Sequence, residues 1–470
     1  MGTPSGPGHA ITKMTTDAAT TRALREERVD SLLRRLTRTE KLELLHQVSP
    51  GVPRLGLAPF RTGTEVLHGA AWLGTATVFP QAVGLGATWD PALVERVGRA
   101  VSAEVRALHH RDPLISLNVW APVVNLLRDP RWGRNEEGYS EDVLLTVTTT
   151  LAYCRGLRGE DPLALRTAPL LKHFLAYNNE TARDTTDVSL RPRVLREYDL
   201  PVFAVPLLAG VATGVMPSYN IVNGRPNHVT PLLGELRALV VAATGEDIVV
   251  CSDAEAPSFL VDTEHYFPDH ATAYAAALRA GVDSFTDHGD QTEVTVGRVT
   301  EALDRGLITE EDVDRAVRRL LTLRARLGEF TPERDPHAGA GDDALDSPEH
   351  RDLALTAARA QVVLLRNRGD LLPITPGPGA RIAVVGPYAD VVCTDWYSGT
   401  PPYRVGIAGG LGRALAATGG EVRWTEGVDR IRLVSRRGDA LRVGGAAAPA
   451  LTCVPVDGPV PAGDPASAGD

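Results

Sequence analysis

Cysteine is scarce in this 470-residue chain: Cys154, Cys251, Cys393 and Cys453 are its four, far apart and without a CxxC spacing. That pattern points to neither a zinc site nor a disulfide framework, and reduced thiols are the expectation. Long apolar runs are missing as well. No stretch reaches the roughly 18 apolar residues that cross a bilayer, and the amino terminus, Met-Gly-Thr-Pro-Ser-Gly-Pro-Gly, has no apolar core of a secretory leader. No membrane partner is expected, and the expected location is cytoplasmic. Basic runs are absent too, and 49 basic against 59 acidic residues give a net charge of −10. A nucleic-acid partner is therefore not expected. What the chain does have is core: 43% of its residues are hydrophobic and 23% charged. This is the balance of a globular protein, long enough for a large α/β barrel and a second domain.

Residues 1–25 read as a disordered, Pro/Gly-rich tail. Val29, Leu32, Leu33 and Leu36 then recur at helical spacing, and Thr37 with Glu40 forms a capping box that starts a second helix. Asp90-Pro91 reads as an N-cap followed by proline at the first helical position, with Leu93, Val94, Val97 and Val101 as the buried stripe of a long helix. Short apolar runs at 115–120, 168–174, 214–219, 248–251 and 281–285 alternate with such helices and read as buried strands. Strand and helix alternating over about 300 residues indicate a parallel sheet, and the number of units favours an α/β fold of the (β/α)8 barrel type over residues 26–330. Thr309 and Asp312 form another capping box, with Ile308 and Val313 placed as a hydrophobic staple. Residues 331–350, rich in Pro, Asp and Gly, have the composition of a linker. From 351 to 444 a second, partial α/β domain is expected, and 445–470 read as a low-complexity tail.

The polar residues cluster just after the apolar runs: Asn125, Lys172 and His173, Tyr219 and Asn220, Ser252 and Asp253. In a barrel the carboxyl ends of the strands line the active site, and a purely structural polar residue has no reason to recur there. Asp253 reads either as a loop carboxylate or helix N-cap, or as a nucleophile able to stabilise an oxocarbenium-like centre and trap it covalently, with Ser252 placed to orient it. Lys172 and His173 are neighbours, which a regular strand points to opposite faces; either one of them misses the site or the backbone departs from strand geometry. Glu65 and His68 suit a polyhydroxyl substrate, or serve as turn groups before Gly69. Arg134 offers a forked donor to vicinal hydroxyls, or holds its loop by pairing with Glu136 or Glu141.

Taken together, these segments resemble glycoside hydrolase family 3, the retaining exo-β-glycosidases. The resemblance rests on ordered blocks: Glu65-Val66-Leu67-His68-Gly69; Thr77-Val78-Phe79-Pro80-Gln81; Ala121-Pro122-Val123-Val124-Asn125 with Arg128-Asp129-Pro130-Arg131-Trp132-Gly133-Arg134; Lys172-His173-Phe174 with Asn178-Asn179-Glu180 and Arg183; Met216-Pro217-Ser218-Tyr219-Asn220; and Val250-Cys251-Ser252-Asp253. Val363-Leu364-Leu365-Arg366-Asn367 with Leu371-Leu372-Pro373 and Val384-Val385-Gly386-Pro387 resembles the start of that family's α/β-sandwich domain. The run Asp429-Arg430-Ile431-Arg432-Leu433 resembles the opening of an inserted β-rich module.

The resemblance implies Asp253 as the nucleophile of a double displacement, with Glu65, Arg134, Lys172, His173, Arg183, Met216 and Tyr219 around a terminal sugar. It implies no metal and no organic cofactor, an unusual peptide geometry at the Lys-His pair, and a β-linked glycoside or oligosaccharide as partner. Ala254 stands where glucose-cleaving members often carry an aromatic, and Glu65 where many carry aspartate. Glu-x-Leu-His-Gly is similar to xylosidase-like members, so β-glucoside, the commoner specificity, is favoured only narrowly over β-xyloside. In the family the general acid/base is usually a glutamate deep in the second domain, expected here beyond the end of the chain. Glu421 and Glu426, the only glutamates after Glu349, read as scaffold. Two rivals from other classes are a catalytically silent sugar-binding protein and a barrel lyase or aldolase using Lys172 as a Schiff-base amine.

Overall fold

The computed structural model describes residues 7–161, 163–375, 377–427, 431–443 and 446–455. The chain divides into two compact units, the first comprising Met1–Val363 with Trp396–Pro402, the second Leu364–Asp395 with Tyr403–Asp470.

The first unit is built on a parallel sheet of the strands Asn118–Val119, Ala168–Phe174, Gly214–Pro217 and Val249–Val250, in that order. Helices Val143–Arg158, Pro201–Leu208 and Leu232–Thr244 make the successive connections. This is a TIM-barrel-like α/β arrangement. The strand Ala-Pro-Leu-Leu-Lys-His-Phe is buried at every position, as expected where both faces of a parallel sheet are covered. Backbone pairing continues from both edges of the sheet. On one side Cys251 bridges Ser284, and Phe285 bridges His46; on the other, Thr64 N–H donates to Asn118 O at 3.1 Å, and Thr62 N–H to Gln47 O at 2.9 Å. The run 281–285 thus joins through single bridges.

The helix signals sit where the sequence puts them. Asp90 accepts from Leu93 N–H at 3.0 Å and starts the helix Pro91–Arg111. Both capping boxes form, Thr37 with Glu40 and Thr309 with Asp312. Val313, Val317, Leu320 and Leu321 are buried along the helix Glu310–Arg326, whose apolar stripe meets the core while Arg315 and Arg318 face outward.

Three expectations about boundaries change. A helix runs from Pro7 to Arg35, through most of the stretch read as a tail; its first turns lack the apolar periodicity by which a helix is read from sequence. The segment 331–350 belongs to the first unit and is fastened to it. Asp335 pairs with the buried Arg106 at 2.7 Å, and the buried Glu104 accepts from Asp346 N–H at 3.1 Å, His350 Nδ1 at 2.8 Å and Thr77 Oγ1 at 2.6 Å. Its turn-forming residues make it look like a linker, yet its acids and His350 complete the coordination of buried charges. The helix Pro348–Ala360 also lies in the first unit, so the second begins at Leu364 and not at 351.

In the second unit Arg381–Val385 pairs in parallel with Glu421–Thr425, and the helix Ile407–Ala416 lies between them in sequence. Ile431–Val443 pairs antiparallel with Ala446–Pro455, so a strand occupies part of the stretch read as a low-complexity tail; residues 456–470 lie outside the described residues. Glu421 is exposed and pairs with Arg423 at 2.7 Å.

Candidate functional site

Asp253 follows the Val249–Val250 strand in a loop held from behind. Ser252 Oγ accepts from Thr286 N–H at 2.7 Å, Glu255 N–H donates to Thr286 O at 2.8 Å, and Glu255 Oε1 accepts from His288 N–H at 2.8 Å. Ser252 therefore anchors the neighbouring loop and does not orient the carboxylate, as the sequence had suggested. Asp253 is no helix cap either. Its Oδ1 accepts from Ala254 N–H at 2.8 Å, while its buried Oδ2 accepts no hydrogen bond and faces His173 Nε2 at 3.9 Å. Burial raises the carboxyl above its ordinary range, and Arg134, the Ala254 N–H, Lys172 and a loosely approaching Tyr219 hydroxyl pull the other way. An ionisable oxygen is thus left open in a site lined with positive charge.

The backbone departs from regular strand geometry at Lys172-His173. That peptide is cis, and the register with the Gly214–Pro217 strand shifts between Lys172 and Phe174. Asn125 brackets His173, accepting from its N–H at 2.7 Å and donating to its carbonyl at 2.9 Å. Both side chains reach the site. Lys172, 1% exposed, donates to the two oxygens of Glu65 at 2.8 and 2.6 Å. Burial raises the Glu65 carboxyl against the pull of Lys172. His173 is held well below the usual imidazole range by burial, then by Arg134, Lys172 and Arg183. It is neutral, and its Nε2 accepts from Arg134 at 3.2 Å.

Arg134 is fixed by a fork onto Glu137, both bonds 2.6 Å. Neither Glu136 nor Glu141 is its partner in that fork: the tight turn Asn135–Glu137 brings the third residue back onto the guanidinium. Arg183 lies over the Tyr219 ring at 4.3 Å and reaches Glu180 at 3.3 Å. Met216 is buried and aligned with Lys172 across the sheet. His68 goes to a structural role, its Nδ1 bonding Phe79 O at 2.9 Å.

The structure therefore gathers Glu65, Arg134, Lys172, His173, Arg183, Tyr219 and Asp253 around one place. It adds residues the sequence reading passed over. Tyr397 lies 4.7 Å below the Lys172 ammonium and accepts from Arg134 at 3.3 Å. Tyr177 packs between His173 and Tyr219, its hydroxyl on Glu180 at 2.7 Å, and Trp132 donates to the same carboxylate at 2.8 Å. Trp72 and Trp396 stand exposed beside Tyr397, their rings 5.7 Å apart. An Asp-Trp-Tyr triplet at 395–397 was the available signal for this rim.

Glu255, Asp287 and His288 group closely enough to suggest a metal. Arg298 already supplies a cation there, donating to Asp287 at 2.8 Å and to His288 Nε2 at 3.1 Å.

Glu264, just beyond the helix Ala256–Asp262, carries a buried Oε2 without a hydrogen bond. Burial, then Asp184, push this carboxyl up to about 8. A carboxyl raised in the folded state contributes stability that is complete below its unfolded value and lost as pH rises through the folded one. The thermal midpoint is accordingly expected to fall by a few degrees between pH 5 and pH 8, and Glu264→Gln to remove part of that fall, as read by thermal unfolding at each pH.

Comparison with known proteins agrees with this architecture. Residues 11–323 match the Glycosyl hydrolase family 3 N terminal domain, and the chain belongs to that family. Probable β-D-xylosidase 7 of Arabidopsis thaliana is 33% identical over 403 residues, covering 80% of this chain and 51% of that protein. A GH3 exo-β-xylosidase (XlnD), solved in complex with a xylobiose aziridine activity-based probe, is 28% identical with a TM-score of 0.79, over 86% of this chain and 53% of that one. β-Glucosidase from Listeria innocua in complex with isofagomine is 26% identical with a TM-score of 0.71, over 85% and 60%. The chain spans about half the length of the curated relatives it matches.

Proposed function

We propose that this chain carries the sugar pocket and nucleophile of a retaining exo-β-glycosidase that removes a non-reducing terminal β-D-xylosyl residue. The observation that carries the reading is the buried Asp253 carboxylate with one open oxygen, faced by Lys172, Arg134 and a neutral His173. We read the backbone circuit through 45–47, 62–64, 118, 168–174, 214–217, 249–251 and 284–285 as a barrel. Asp253 then stands at the carboxyl end of its strand, where such folds hold their chemistry.

In the first displacement Asp253 Oδ2 forms a bond to C1 as the bond from C1 to the leaving oxygen breaks, and a protonated acid gives that oxygen its proton. Water then attacks C1 from the vacated face, releases the carboxylate and returns a proton to the same acid, so configuration is retained. A sugar hydroxyl both donates and accepts. Lys172 and Arg134 serve as donors to the ring hydroxyls and Glu65 as acceptor, and the exposed Trp72 and Trp396 offer faces for a second sugar.

The β-xyloside preference replaces the narrow sequence preference for β-glucoside. It is supported by the xylosidase relatives, and we infer that Glu65, one methylene longer than aspartate, leaves less room for a hydroxymethyl group. β-Glucoside cleavage is the second reading, supported by the likeness to the Listeria enzyme. The test is kcat/KM for 2,4-dinitrophenyl β-xyloside against the matching β-glucoside. The xyloside is expected to be favoured, and Glu65→Asp to shift the ratio toward glucoside by about tenfold. A glucoside preference in the parent chain that Glu65→Asp leaves unchanged rejects the xyloside reading.

A further inference from the structure

A cavity of about 560 Å³ opens in the first unit beside the helix Pro91–Arg111 and the turn leading into the Ala168–Phe174 strand. Arg166 stands just before that strand, whereas Asp253 follows a parallel strand of the same sheet. The cavity therefore lies at the opposite end of the strands from the sugar pocket. Four arginines line it, Arg96, Arg99, Arg106 and Arg166, with Glu349 the one carboxylate among its lining residues.

The four are not equivalent. Arg106 is fully engaged, on Asp335 at 2.7 Å and on the carbonyls of Leu165 and Arg166 at 2.6 and 2.5 Å. Arg99 is shared between Glu95 and Glu160. Among the described residues, the Arg166 and Arg96 guanidinium groups have no carboxylate or carbonyl partner, and Arg166 is half-buried. His337, also on the wall, has a buried Nε2 without a hydrogen bond. It sits against Arg166: a Cβ built on Gly159 would lie 3.2 Å from Arg166 Cβ and 3.6 Å from His337 Nε2.

Burial, then the neighbouring Arg99, lowers the Arg166 guanidinium, and burial, then Arg106 and Arg166, lowers the His337 imidazole. Glu160 and Asp335 pull the other way without restoring either group, and an anion in the cavity would relieve both. Guanidinium forks match the planar oxygens of carboxylates and the oxygens of phosphates. A cavity of this volume holds more than a single small ion.

We propose that this cavity binds a polyvalent oxyanion, a phosphate ester or a polycarboxylate, held by Arg166 and Arg96 at the end of the sheet remote from Asp253. The site is independent of glycoside cleavage and is tested without it. Isothermal titration of the chain at low ionic strength with inorganic pyrophosphate and, separately, citrate is expected to show saturable binding of at least one, and the tighter of the two identifies the source chemistry. Arg166→Gln and Arg96→Gln are each expected to weaken it about tenfold. Arg193→Gln, an exposed arginine paired with Glu197, is expected to leave it unchanged. Arg96 is exposed and no part of the core, so its variant decides the matter if Arg166→Gln does not fold. No saturable heat with either anion up to about 5 mM, or equal weakening by Arg193→Gln, overturns the proposal.

Discussion

Asp253→Asn is expected to lower kcat/KM for 2,4-dinitrophenyl β-xyloside by on the order of 10⁴-fold, since the bond-forming oxygen pair becomes an amide without nucleophilic power. The same substitution is expected to leave stability unchanged or slightly improved at neutral pH. Burial raises the Asp253 carboxyl in the folded state, so ionising it costs folding free energy as pH rises through that raised value, and a neutral amide escapes the cost. Steady-state kinetics beside urea denaturation read both halves. Loss of activity together with a large loss of stability contradicts a catalytic role and makes Asp253 a structural group.

Lys172→Met is expected to be the most damaging single change to the fold around the pocket. Lys172 and Glu65 are both withdrawn from water, with side-chain exposures of 1% and 11%. Removing the ammonium leaves the buried Glu65 carboxyl without its ion-pair partner, a change that costs about 3–5 kcal/mol for a buried pair. Replacing both partners, Lys172→Met with Glu65→Leu, is expected to recover much of that loss, because no lone charge remains. Both variants are expected to process xyloside far more slowly than the parent, as the Lys172 donor to the ring hydroxyls is gone from both. The check is the cycle of unfolding free energies from urea titration of the parent, the two single variants and the double variant. Additive losses, with no recovery in the double, would show that the pair is not coupled.

The parts of this protein that were legible in sequence are those whose cause is local or periodic. Capping boxes at Thr37 and Thr309 act over three residues, and a strand buried on both faces leaves an apolar run such as 168–174. Seven of the eight residues expected around the sugar have side chains drawn to one place, and the eighth, Met216, is buried in register with Lys172 on the next strand. The illegible parts depend on contacts far apart in the chain. Tyr397 meets Arg134 across 263 residues, and the Asp-Trp-Tyr triplet around it does not say which distant residue it meets. Glu137 was missed in favour of its neighbours because only the tight turn at 135–137 selects it. The 331–350 segment read as a linker because turn residues dominate it, yet Asp335 and His350 are drawn to the buried Arg106 and Glu104. In the Lys172-His173 pair, alternation forced a choice between one residue missing the site and an irregular backbone; the cis peptide and the register shift show the second.

The central claim is that Asp253 bonds covalently to the sugar. The most direct measurement is trapping with 2,4-dinitrophenyl 2-deoxy-2-fluoro-β-xyloside, whose fluorine slows the second displacement, followed by peptide mass mapping. The account predicts one fluoroxylosyl group per chain, on the peptide containing Asp253, and none in Asp253→Asn. A label on another carboxylate, or time-dependent labelling that persists in Asp253→Asn, would contradict it.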